Sequence, residues 1–211
     1  MTICSPMLLA AALVAVPSPA VRGPVAPAPA DSISRAAFHD AMRQLWEDHV
    51  VWTRTFIISA VAGLPDSDQA AQRLLQNQAD IGAAIAPFYG EAAAAQLTAL
   101  LRGHILTAAR LIGAAKAGET AAVNAASGAW YANADSIADF LAAANPRHWP
   151  PAALRSAMRM HLDLTLQEAT ARLTGDWPAD VAAYDAVHRH ILQMADVLSD
   201  GIVAQFPGRF N

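Results

Sequence analysis

The chain has one cysteine, Cys4, and it lies in the N-terminal segment. A single cysteine excludes an intrachain disulfide. Its loss with a processed leader would also exclude a thiol nucleophile or a cysteine metal site from the mature protein. Charge is scarce as well: 15% of residues are Asp, Glu, Lys or Arg, against roughly 25% in an average soluble protein. The net charge is -4 and Lys and Arg form no cluster, which argues against a nucleic-acid partner. Val, Ile and Thr are sparse and never alternate over the length of a strand, so the sequence has no material for a sheet. No Gly-rich phosphate loop, Gly-x-Ser-x-Gly elbow or dinucleotide fingerprint occurs. Beyond one Pro/Ala-rich stretch, no internal repeat stands out.

What remains is alanine-rich and 55% hydrophobic, a composition suited to closely packed helices. Met7 to Val16 reads MLLAAALVAV, an apolar run of signal-peptide length that is too short to cross a bilayer. The stretch VRGPVAPAPA follows as a spacer, and cleavage after Ala20 or Ala30 fits the small-residue rule. No Lys or Arg precedes Met7, a departure from the usual basic flank. The expectation is a signal peptide and spacer over residues 1–30, a helical bundle domain over 31–211, and a periplasmic or secreted protein with no membrane span after processing.

The rest of the chain predicts an all-α fold, an up-and-down antiparallel bundle of about six helices. Asp31 or Ser32 can cap the first, which runs to Ala62 before Gly63-Leu64-Pro65. The second starts at Asp66 or Ser67 and closes near Pro87 and Gly90. The third spans about Glu91 to Lys116, and the fourth runs from near Glu119 to Asn145-Pro146. The fifth opens at Pro150-Pro151 and ends at Gly175; the sixth runs from Trp177-Pro178 to about Gln205. Short connections imply antiparallel neighbours, and the surface is compatible with a homo-oligomer.

Each helix's apolar seam, spaced alternately three and four residues apart, holds a polar residue near its middle. These are His49, Asn77, His104, Asn133, His161 and His188. In an antiparallel bundle, helix midpoints share one height, so the six groups are expected to share a layer. An unpaired buried imidazole or amide costs on the order of 1–3 kcal/mol, so such a layer requires mutual bonds, water or an ion. Neutral imidazole is the commonest metal ligand, and bundle cores are where helical metal sites are built. The candidate ligands are His49, His104, His161 and His188 with the carboxylates Glu168 and Asp185. Trp52, Asn77, Asp80, Trp130 and Asn133 are expected to line the site. The competing reading is a purely structural polar network that fixes helix register. His190 falls off the seam and reads as solvated. Arg54, set in an apolar stretch, needs an acidic partner on a neighbouring helix. Gly82, Gly103, Gly128 and Gly201 lie inside helices, where they would let helices approach closely.

The strings LWEDHVVWTR (45–54), RLLQNQADIG (73–82), LLRGHI (100–105), WYANADSIADFL (130–141), MHLDLTLQEATARL (160–173) and YDAVHRHILQMADVLSDGIVAQFP (184–207) resemble a family of small, uncharacterised bacterial all-helical proteins. The resemblance covers about residues 40–210. Members carry names such as glycosyltransferase or acetylglutamate kinase, although no nucleotide or sugar-phosphate motif is present here. The resemblance implies a helical fold with recurrent histidines at positions 49, 104 and 161; position 188 is not histidine throughout the family.

Three functions follow as expectations. The first is a metal-binding bundle of the cell envelope holding a divalent transition metal: zinc, iron, manganese or copper. The second is a non-catalytic interaction or sensor protein of the envelope. The third is a small-molecule or haem pocket in the bundle core, walled by Trp52 and Trp130.

Overall fold

In the computed structural model, which describes Met1 and residues 32–211, the first helix is capped by Ser34 and not by the expected Asp31 or Ser32. The Ser34 side chain accepts from the Ala37 N–H at 3.4 Å, satisfying one of the helix's free N-terminal donors. The expected leader and spacer lie outside the described residues apart from Met1. Six helices follow: α1 (Arg35–Ala62), α2 (Ser67–Tyr89), α3 (Glu91–Ala117), α4 (Thr120–Ala144), α5 (Pro151–Thr174) and α6 (Trp177–Gln205). A short 3-10 turn, Pro207–Arg209, closes the chain. Among the described residues there is no strand, only one isolated bridge between Ile33 and Phe210. No helix among them is long and apolar enough to cross a membrane.

Consecutive helices pack side by side, and α6 returns against α1, so the six close into a ring. The structure also shows a repeat that the sequence hides. The hairpins α1–α2, α3–α4 and α5–α6 follow one plan. His49, His104 and His161 stand 55 and 57 positions apart, each fourteen residues before a helix-ending glycine: Gly63, Gly118 and Gly175. Those glycines have φ of 68°, 72° and 75°, where a side chain would be strained. In each hairpin, a polar side chain of the second helix donates to the carbonyl four residues before the histidine. Asn77 bonds Leu45, Asn133 bonds Leu100 and His190 bonds Ala157, at 2.9, 3.1 and 2.9 Å. The residue after each histidine, Val50, Ile105 or Leu162, is buried in all three.

The two ends of the ring differ. Phe38, Phe88, Phe206 and Phe210 pack with ring centres 5.1 to 5.6 Å apart and fill the end where α1 begins. The other end, towards the hairpin turns, holds a cavity.

Two of the five helical glycines permit close approach. A Cβ on Gly201 would overlap the indole of the buried Trp149, and one on Gly82 would meet Thr98 and the Ala94 carbonyl. Gly128 has nothing within reach, and Gly103 only the Asn133 amide. Gly201→Ala is therefore expected to cost about 1–3 kcal/mol by overpacking. Gly128→Ala, in the same assay, should stabilise by up to about 1 kcal/mol through helix propensity. Urea unfolding of the two variants checks both signs, and a neutral Gly201→Ala would contradict the packing.

Candidate functional site

The cavity has a volume of about 150 Å³ and lies between the histidine layer and the hairpin turns. Its walls are apolar, formed by residues such as Phe56, Ile57, Leu111, Ile112 and Trp130, and no lining residue carries a formal charge. His49, His104 and His161 form its polar end, with Thr53 and Thr165 beside them. The hydroxyls of Thr53 and Thr165 donate to the carbonyls of His49 and His161, one turn earlier. Leu166 and the exposed Thr170 border both this cavity and a broader groove between α5 and α6, so these two side chains form a shared wall.

The three imidazoles are buried, with ring centres 5.6 Å apart for His49 and His161 and 6.2 Å for His104 and His161. They are bonded differently. Trp130 Nε1, which can only donate, bonds His104 Nε2 at 3.1 Å. His104 Nδ1 therefore carries the proton and donates to Asn133 Oδ1 at 3.0 Å, while the Asn133 amide donates to Leu100. Both nitrogens of His104 are committed. His49 Nδ1 lies 3.3 Å from the Gln78 amide nitrogen, whose two hydrogens serve the nearer Leu74 and Asn77 oxygens at 2.8 and 3.0 Å. That nitrogen is donor-only, so His49 Nδ1 faces it with its lone pair and the ring proton sits on Nε2. His161 Nδ1 is buried with no partner. The residue in its hairpin that corresponds to Asn133 is His190, whose ring centre is 6.5 Å away.

Burial disfavours the charged form of all three rings. Desolvation lowers His49 to about 3 and His104 to about 4, and holds His161 well below the usual histidine value. The neighbouring imidazoles add to the depression at His49 and His161. The layer is therefore neutral at physiological pH.

The remaining candidates do not join it. Glu168 is buried on α5 but bonds Arg54 at 2.8 Å, and Asp180 shares that guanidinium at 2.9 and 3.2 Å. Arg54 thus has two acidic partners on neighbouring helices, and Glu168 serves an ion pair outside the cavity lining. His188 and Asp185 fall on the outer side of α6: His188 Nε2 lies 3.0 Å from Glu47, and Asp185 is exposed. The seam of α6 is turned one position from the expected Val181, Tyr184 and His188. Asp180, Ala183 and Val187 are buried instead, because Arg54 and Arg172 neutralise Asp180. Trp52 sits under Arg73, 5.4 Å from the guanidinium, and not in the cavity wall. Asp80 accepts from Gln76 at the surface side of α2. Asn77 and Asn133 act one step back, through Gln78 and directly on His104. His190 is half-buried and bonded, not solvated as its off-seam position implied. Gln78, fully buried, is the other residue that periodicity missed; only its place beside Asn77 hinted at it.

Among the described residues, no three His, Cys, Asp or Glu side chains are disposed to hold a metal ion together. Comparison with protein-family models, curated proteins and solved structures gives no match for this chain.

Proposed function

We propose that this protein binds a small, neutral organic molecule of about one ring in the central cavity, with the molecule's polar group against the histidine layer. The observation that carries the reading is a charge-free apolar cavity of about 150 Å³ ending on two imidazoles, His49 and His161, whose Nε2 atoms have no hydrogen-bond partner among the described residues. An apolar cavity of about that volume in another helical core takes up benzene, which sets the size of guest. The groove beyond Leu166 and Thr170 supports a route in from solvent.

A second reading is a divalent transition metal, zinc, iron, manganese or copper, on His49, His104 and His161. Three neutral imidazoles around one space favour it, since the neutral ring is the ligating form. It requires Trp130 to release His104 Nε2.

One experiment addresses both. Full-chain protein purified without a histidine tag is assayed for metal content, then heated with and without benzene and cyclohexane. Under the first reading the guests raise Tm, and Ala108→Phe, which places a ring in the cavity, abolishes the rise. Stoichiometric metal that disappears in His161→Gln would favour the second. No guest effect and no metal would leave the layer as a structural polar network.

A further inference from the structure

The proton positions on the two unsaturated imidazoles define what the cavity can recognise. His49 is settled by the donor-only Gln78 amide nitrogen beside Nδ1, which a ring N–H could not face, so the proton lies on Nε2. His161 is settled by its surroundings. Its Nδ1 is sealed in the protein with no partner. A buried N–H without an acceptor is rarer and costlier than an acceptor without a donor, so Nδ1 holds the lone pair and Nε2 the proton. His190 does not alter this, because its own Nε2–H is spent on the Ala157 carbonyl and its ring centre is 6.5 Å away. With the Nδ1 edges turned into the protein, both rings present an Nε2–H to the cavity they line.

Two donors therefore flank one small space, with their ring centres 5.6 Å apart. Such a spacing suits a single oxygen accepting a bond of about 2.9 Å from each. No Asp or Glu lines the cavity to hold a cation, and no Lys or Arg to hold an anion. His104 has neither a proton nor a lone pair to spare. The polar end thus offers two N–H donors and no charge.

Building on the cavity reading, we infer that the ligand is a neutral carbonyl compound, a one-ring ketone or aldehyde whose oxygen accepts from both His49 Nε2–H and His161 Nε2–H. A hydroxyl fits less well, since its own proton finds only the Thr53 and Thr165 oxygens.

The test compares cyclohexanone, cyclohexanol and cyclohexane on the full chain, by calorimetric titration and 15N NMR of the histidine side chains. The ketone is expected to bind about tenfold more tightly than the alcohol, the fold-change of one or two net hydrogen bonds. His161→Leu should erase that preference while cyclohexane still binds. In the free wild type, 15N shifts should place the protons of His49 and His161 on Nε2, and both signals should move with the ketone. This NMR readout stands even if His161→Leu fails to fold. Equal affinity for ketone and alcohol, or a proton on His161 Nδ1, would overturn the carbonyl inference while leaving the cavity reading intact. Failure of all three probes to bind would overturn both.

Discussion

Replacing Arg54 by leucine is expected to destabilise the fold by about 3–5 kcal/mol near neutral pH, the cost of removing one partner from a buried ion pair. Arg54 is 19% exposed, whereas Glu168 and Asp180 are each 1% exposed, so the two carboxylates depend on it. They depend on it unequally. Asp180 keeps a second guanidinium, Arg172 at 3.1 Å, and sits below its ordinary value despite burial. Glu168 has Arg54 alone, and burial pushes its carboxyl up to about 7. Without Arg54, Glu168 would become the uncompensated charge and would take up a proton. The loss should therefore shrink as pH falls below about 7, and Arg54→Leu combined with Glu168→Gln should recover much of it. Denaturant unfolding of the single and double variants decides this. A loss under about 1 kcal/mol, or no recovery in the double variant, would show that the pair is as weak as a surface one. Asp185→Asn, on the exposed side of α6, serves as the control and should change little.

The same cluster shows what hydropathy spacing conveys and what it does not. All six helices were legible because their ends carry strong signals, such as Gly63, Gly118 and Gly175, or Pro151 in a first turn. The seams of α2, α3 and α5 were legible because Asn77, His104, His161, Thr165 and Glu168 all lie on the apolar period, whereas the buried Gln78 and Thr107 fall off it. The seam of α6 was legible only in its second half, where Ile191, Ala195 and Leu198 are buried as spaced. Asp180 counts as polar in any pattern, yet two arginines from other helices bury it, while Val181 beside it is 54% exposed. That one-position turn carried His188 and Asp185 out of the expected site. The hairpin repeat was hidden for a related reason. The position that bonds back to the first helix holds Asn, Asn and His, and its neighbours differ: Gln76 and Gln78, Ala132 and Ala134, Arg189 and Ile191. Which carbonyl each side chain reaches is a three-dimensional fact. Once it is known, His190 becomes the third member of a set, and the unpaired Nδ1 of His161 becomes the point where the third hairpin departs from the second.

Stability should fall steeply on mild acidification. His49 drops from the ordinary 6.5 to about 3 and His104 to about 4, and His161 lies well below 6.5, all by burial first. A base whose folded pKa is depressed binds fewer protons folded than unfolded, so stability rises with pH up to the unfolded value and is lost below it. His49 and His104 then each cost roughly 2 kcal/mol by about pH 5 relative to pH 7, and His161 adds to the loss in the same direction. Glu168 acts in the opposite sense. Its folded value is raised, to about 7 from the ordinary 4.5, so its protonation favours the folded state as pH falls and returns roughly 2 kcal/mol over the same window. The net expectation from His49, His104 and Glu168 is a loss on the order of 2 kcal/mol between about pH 7 and pH 5, deepened by His161, an appreciable part of a typical domain's stability. Thermal and urea unfolding across that range measure it. Removing one opposing group sharpens the test: Glu168→Gln should make the acid loss steeper, because the return from Glu168 disappears. A profile flat from about pH 7 to pH 5 would mean that the three imidazoles are not held neutral in the core, and the cavity's charge-free polar end would go with them.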